Sequence, residues 1–299
     1  MRVCELTARE LGERLSGAGI GLRWGPFVSE IRTELFELAE PIRRLYADYT
    51  LCDEVFRDFR VRIRPRGGFG AQAEFVLDNW YPLPRFSRGL ALAMLEWGLN
   101  WCVYSTVHRY LIVHAAVVAR DERALLLSGP PGSGKSTLCA ALVLHGWRLL
   151  SDELAVIDPT SLEIWPLARP ICLKQDSIAL IRDAAPTAVF GPAVHGTAKG
   201  TIAHMRPPAE SVKRSSEPAE AAWVLLPRFD PDAVTDLEPV GPARGLIHLA
   251  DNAFNYDILG ESAFEALARL VGGCRIARLP YSSLATALDR IDSLVADGR

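Results

Sequence analysis

The segment Leu125–Glu153, "LLLSGPPGSGKSTLCAALVLHGWRLLSDE", limits the folds open to this chain more than any other. An apolar β run ends at a glycine-rich loop. A helix-forming run follows and stops at Gly146, and a second β run ends in two acids. Gly129-Pro130-Pro131-Gly132-Ser133-Gly134-Lys135-Ser136 fits the pattern G-x-x-x-x-G-K-[ST], and Thr137 comes next on the helix. A phosphate-binding loop (P-loop) of this kind needs a strand before it and a helix after it, and both patterns are present. Its glycines let backbone N–H groups turn inward around phosphates, while the helix points its positive end at them. Lys135 is placed to reach β- and γ-phosphates, and the Ser136 hydroxyl to bind Mg²⁺.

Asp152 and Glu153 end the strand after the loop helix. If that strand lies beside the loop strand, Asp152 comes near the terminal phosphate and the metal. A carboxylate there can hold Mg²⁺ or accept the proton of an attacking hydroxyl. Neighbours on a strand point to opposite faces, so both acids serve one site only where the strand ends or bends. His114 lies in the preceding β run, "LIVHAAVV", where a hydrogen-bonded core histidine is the commoner outcome.

The surrounding pattern is mixed. "YLIVHAAVVA", "RDER" and "ALLLSG" read as strand, turn and strand; "LAVID", "DPTS" and "LEIWPL" read as a hairpin following the acids. The expected fold is α/β, a P-loop nucleotide-binding core with a mixed sheet, at 108–299. A smaller α+β region, 1–107, precedes it. There "FRVRIRPRGG" alternates Phe59, Val61 and Ile63 against Arg60, Arg62 and Arg64, and the run from about Ser87 to about Val107 reads as a buried helix. Residues 183–217, rich in glycine, proline and small polar residues, read as an extended loop.

Composition excludes more than it proposes. A formal net charge of -3 over 299 residues gives no global reason to expect nucleic acid or membrane binding. No apolar run reaches about 18 residues, and the charged start "MRVCELTARELGERL" lacks a signal-peptide core. Six cysteines without a CxxC pair argue against a zinc site or disulfide scaffold and suit a reducing cytoplasm. Only four basic residues are lysines: Lys135, Lys174, Lys199 and Lys213. In the glycine-rich 183–217 stretch, Lys199 and Arg206 are expected to close over phosphates as a basic loop and stabilise transferring charge. Arg169 and Lys174 are lesser candidates for that role.

Together, "VHAAVVARDERALLLSGPPGSGKSTLCAAL" and "GWRLLSDELAVI" resemble the bacterial HPr kinase/phosphorylase superfamily, in particular its HPr kinase-related branch, whose fold is related to ATP-dependent phosphoenolpyruvate carboxykinases. The resemblance covers about Leu111 to Ile157. It implies ATP- and Mg²⁺-dependent phosphoryl transfer to a serine hydroxyl, with Asp152 at the place of the general base. It also implies that Glu153 stands at a second, metal-associated acid and His114 at a histidine near the active site. Two departures are visible: Glu153 replaces the family's usual second Asp, and no "EIRG" segment follows the acids.

The resulting expectation is a cytoplasmic kinase acting on a protein or peptide serine. The alternatives are a small-molecule kinase, a nucleotide-hydrolysing or nucleotide-switched module, and a nucleotide-binding scaffold. No NKxD or LSGGQ-like stretch supports the common GTP-switch or transporter forms. The family's hexamers suggest self-association as a homo-oligomer.

Overall fold

Strict alternation makes a strand with one wet face, and unbroken apolar runs make strands covered on both faces. The chain uses each kind in a different place. The computed structural model describes residues 1–53, 56–67 and 71–296. They divide into two units, Met1–Thr106 with Ala168–Ser216, and Val107–Leu167 with Glu217–Arg299. The expected division at 107 thus takes a different form. Residues 168–216 group with the N-terminal region: their three strands pair with one another, while Arg169 and Arg206 find Glu96 and Asp48 there.

In the first unit, helix Ala8–Ser16 opens on a capping box between Thr7 and Glu10. Strands Ile20–Trp24 and Phe27–Thr33 form the hairpin expected around Gly25-Pro26, Gly25 having φ 55°. Strand Phe59–Arg66 runs parallel to the second of these and antiparallel to Gln72–Leu77. Its Phe59, Val61 and Ile63 are buried, as the alternation requires. The arginine face meets acids of the same chain: Arg62 pairs with Glu34, and Arg64 with Glu74 at 2.6 Å. The apolar run after Ser87 forms helix Ala91–Thr106.

About half of the expected loop 183–217 is regular secondary structure. Val194–Thr197 and Gly200–Met205 form a hairpin, and Ile171–Lys174 pairs antiparallel with the second strand. Helix Ala209–Lys213 follows. Two of the glycines that suggested a loop flank the hairpin turn at Ala198-Lys199. Gly196 and Gly200 have φ of 72° and 78°, a region glycine enters without a Cβ penalty.

In the second unit, strand Leu111–Arg120 pairs antiparallel with the P-loop strand Arg123–Ser128. The turn residues Asp121 and Glu122 have φ of 49° and 58°, as a type I′ hairpin turn needs. Ala219–Phe229 lies parallel on the other side of the P-loop strand, and Arg275–Tyr281 lies parallel beyond that. Arg148–Ser151 and Leu154–Ile157 both pair antiparallel with Leu111–Arg120. Leu154–Ile157 then forms the expected hairpin with Glu163–Trp165. The sheet is mixed, as the hairpin after the acids predicts.

Alternate residues divide its two faces. Val113, Ala115, Val117, Ala124, Leu126 and Leu150 join the core under helices Pro242–Asp251 and Glu261–Gly273. The opposite face carries the P-loop helix Lys135–Leu144, beside the C-terminal helix Leu284–Ala296. Burying each Val or Leu contributes about 1.5–3 kcal/mol, so these strands are anchored from both sides. Among the described residues no helix is long and apolar enough to cross a membrane.

Candidate phosphate-binding site

A helix N-terminus leaves N–H groups without intrahelical partners, and a capping side chain commonly takes one of them. Here the N-cap is Gly134, held at φ 94°, and it offers no side chain. The first-turn N–H groups of Lys135, Ser136 and Thr137 therefore have no cap from that residue. Ahead of them, Gly129 is buried while Pro130, Pro131 and Gly132 are exposed. Gly132 has φ 86°, with no atom of the described residues within 4 Å of where a Cβ would stand, so the loop is open there. Ser133 is only 7% exposed, and its Oγ has no hydrogen-bond partner among the described residues. A buried hydroxyl left unsatisfied is costly and suits a loop that receives a polar ligand.

Lys135 is equally buried, at 7% exposure. Its Nζ donates to the Gly129 carbonyl at 2.5 Å and to the Pro130 carbonyl at 3.1 Å. A buried ammonium needs such partners. The bonds hold it inside the loop. Ser136 and Thr137 are half-buried at the start of the helix.

The loop is braced from the parallel strands. Phe229 N–H donates to the Ser133 carbonyl at 3.1 Å. Tyr281 O–H donates to the Gly134 carbonyl at 3.3 Å. Burial pushes the Tyr281 phenol up to about 12, so it stays protonated and keeps donating. A Cβ on Gly134 would stand 2.0 Å from that hydroxyl, so backbone and ring approach as closely as only glycine allows.

The acids sit differently from the sequence expectation. Their strand is not beside the P-loop strand; Leu111–Arg120 runs between them. The reason is the tight turn at Asp121-Glu122, which folds Leu111–Arg120 back onto that edge. The acids nevertheless lie level with the loop. Val117 pairs with Ser151 and His114 with Leu154, so Asp152 and Glu153 fall opposite Ala116 and Ala115. Those same residues pair on their other side with Leu127 and Ser128, the end of the P-loop strand. Two strand spacings put the acids about 10 Å across the sheet from it.

A register shift between Val117 and Val118 determines which way each acid points. The extra residue turns both Leu150 and Ser151 toward the Glu261–Gly273 face. Counting on, Asp152 falls on the face of the P-loop helix and Glu153 on the other face. The electrostatics agree. Burial raises the Cys139 thiol well above its ordinary range, and the second cause is the charge of Asp152, so Asp152 is felt from within that helix. The bend itself is held by Ser151 Oγ, which accepts from Glu153 N–H at 3.3 Å and Leu154 N–H at 3.0 Å. Both acids are half-buried.

His114 lies just past the level of Ser128, where the loop leaves the sheet. Its N–H donates to the Asn252 carbonyl at 2.8 Å, and its ring lies 6.0 Å from that of Phe254. Residues 252–254 thus take the place beside Leu111–Arg120 that the P-loop strand vacates, with Val113 bridging to Ala253.

One residue escaped the sequence reading. His248, on helix Pro242–Asp251, has its Nε2 3.2 Å from Ser128 Oγ at the mouth of the loop. Burial lowers its pKa below the ordinary imidazole range; Asp251 opposes this, and the charge of Lys135 adds to it. The apolar periodicity of "ARGLIHLAD" marks a helix there but gives no sign that it ends at the loop.

The four candidates outside this unit belong to the first one. Lys199 is in the hairpin turn with Nζ 5.0 Å over the Trp97 ring, and Arg206 donates from Nε and Nη2 to Asp48 Oδ2 at 2.9 and 2.7 Å. They stand at opposite ends of Gly200–Met205, so they do not form one basic loop. Arg169 is buried in an ion pair with Glu96 at 3.3 Å. Lys174 ends a sheet strand.

No protein-family model matches the chain, and no curated protein matches it. Among solved structures, the HPr(Ser) kinase/phosphatase from Coxiella burnetii is similar at 14% identity and a TM-score of 0.25, covering 62% of this chain and 99% of that one.

Proposed function

We propose that the chain transfers a phosphoryl group from ATP to a hydroxyl, on a protein or peptide serine or on a small molecule. The observation that carries the reading is the loop: an uncapped helix start, a buried Lys135 and an unsatisfied buried Ser133 hydroxyl, with Asp152 on the same face of the sheet. These features suit a polyphosphate. Lys135 would exchange its two carbonyl bonds for phosphate oxygens, and the first-turn N–H groups would donate to them.

The Ser136 hydroxyl and Asp152 would hold Mg²⁺. Among the described residues no group of three or more His, Cys, Asp or Glu side chains is gathered for a metal. An Mg²⁺ ion bound with substrate phosphates needs only one or two protein oxygens. When bound, Mg²⁺ neutralises charge on the phosphates. Asp152 accepts the proton of the acceptor hydroxyl as its oxygen bonds to phosphorus and the nucleoside diphosphate leaves. Glu153 lies on the other face, and Lys199 and Arg206 are engaged by Trp97 and Asp48, so none of the three is given a role.

The test is transfer of label from γ-labelled ATP with Mg²⁺, with the protein alone and with cell-extract fractions. We expect label on a protein or a small solute. Lys135→Ala should lose nucleotide binding, by equilibrium titration. Asp152→Asn should keep binding and lose transfer by 10²-fold or more, roughly the share of a general base. Phosphate released only to water would make the protein a hydrolase instead, and wild-type transfer by Asp152→Asn would remove the mechanism.

A further inference from the structure

An aromatic ring stands partly exposed beside the glycine loop. Phe229 is the last residue of the strand parallel to the P-loop strand, and 50% of its surface is exposed. Three observations fix it to the loop. Its N–H donates to the Ser133 carbonyl at 3.1 Å. Its Cβ lies 3.4 Å from where a Cβ on Gly134 would stand. Its ring packs against Tyr281, centroids 5.6 Å apart at 65°, and Tyr281 in turn holds Gly134. The ring is therefore immobilised through its neighbours while half of it faces solvent at the rim of the cradle.

We infer that Phe229 is a stacking platform for the nucleobase of the nucleotide whose phosphates the loop holds. The inference rests on the phosphotransfer reading for the presence of a nucleotide. Its own content is that affinity has a base-dependent part located on this ring. The position agrees with the general rule that ligands of parallel sheets sit at the carboxyl ends of the strands, where Ser128, Phe229 and Tyr281 all lie. Stacking on a single aromatic face tolerates any base, so the site should take purine nucleotides without strong choice between adenine and guanine. A ring already ordered by Tyr281 and Ser133 loses little freedom on binding, which favours this use.

The experiment separates base from phosphate. Binding of Mg·ATP, Mg·GTP and inorganic tripolyphosphate to the full chain is measured by calorimetry for wild type, Phe229→Leu, Phe229→Ala, Phe229→Trp and Lys135→Ala. Leucine keeps apolar packing against Tyr281 but removes the π face, so it guards against loss of folding in the alanine variant. We expect Phe229→Leu and Phe229→Ala to weaken both nucleotides by about 5- to 100-fold, and tripolyphosphate by less than about twofold. Phe229→Trp should keep or improve nucleotide affinity. Equal weakening of all three ligands, or no weakening of any, overturns the platform. Wild type that binds tripolyphosphate but neither nucleotide also overturns it, while leaving the loop intact. Failure of the phosphate reading looks different: Lys135→Ala would then bind all three ligands as wild type does.

Discussion

At the scale of single residues, the site is a set of groups whose positions conflict with their ordinary preferences. Lys135 is a buried ammonium, Ser133 a buried hydroxyl without a partner among the described residues, and His248 an imidazole pushed toward its neutral form. His248 gives a test independent of activity. Its folded pKa is lowered below 6.5, so below that pH the unfolded chain takes up the proton more readily than the folded one. Its contribution to stability is complete above pH 6.5 and is lost as pH falls through the folded pKa. Chemical denaturation across pH 5–8 should therefore show a shallower decline for His248→Asn than for wild type on the acid side. Parallel curves would mean that the ring titrates normally.

The same scale shows what could be read in advance. The run Gly129–Ser136 was legible because each residue type has a local backbone reason to be there. Asp152 was legible as a strand-end acid, but its facing was not. That depends on a register shift at Leu150, which leaves no mark in the residues themselves. His248 was invisible because its partner, Ser128, lies 120 residues away.

Elements tell a similar story. Hairpins with strong turn residues, around Gly25-Pro26 and Asp121-Glu122, were expected and are present. The stretch 183–217 misled because glycines at positive φ serve a two-residue hairpin turn as readily as an open loop. A contact between elements offers a prediction in the first unit. Helix Ala91–Thr106 meets strand Gln72–Leu77 where a Cβ on Gly98 would stand 2.0–2.5 Å from three atoms of the buried Phe75 ring. Gly98→Ala favours the helix by intrinsic propensity, by about 1 kcal/mol. The overlap costs more, about 1–3 kcal/mol plus the forfeited gain, so the variant should melt several degrees lower by calorimetry. Gly98→Ala with Phe75→Leu should recover much of the loss. A stabilised single variant would show that the ring moves freely.

For the whole molecule, the chain's path matters most. It leaves the P-loop unit at Leu167, builds a second sheet in the first unit, and returns at Glu217. The excursion is secured by buried polar bonds. Arg169 pairs with Glu96 and bonds Asn100, Tyr46 O–H donates to Glu96 at 2.7 Å, and Tyr49 O–H donates to the Ala168 carbonyl at 2.6 Å. Burial raises the Glu96 carboxyl, and Arg169 opposes it. Arg169→Met strands that carboxyl and should cost about 3–5 kcal/mol in denaturant titration. Arg169→Met combined with Glu96→Leu should lose far less, and equal losses would show that the charge is not the issue.

The same path governs birth on the ribosome. A chain made from its N-terminus displays Leu111–Arg120 and the glycine loop before the last strands of the preceding unit exist. Neither half can finish before the other has started: the five-stranded sheet of residues 20–87 can close early, but the sheet carrying the glycine loop stays open while residues 168–216 are made, until Ala219–Phe229 and Arg275–Tyr281 emerge. Domain-by-domain maturation, the usual safeguard of long chains, is closed to it.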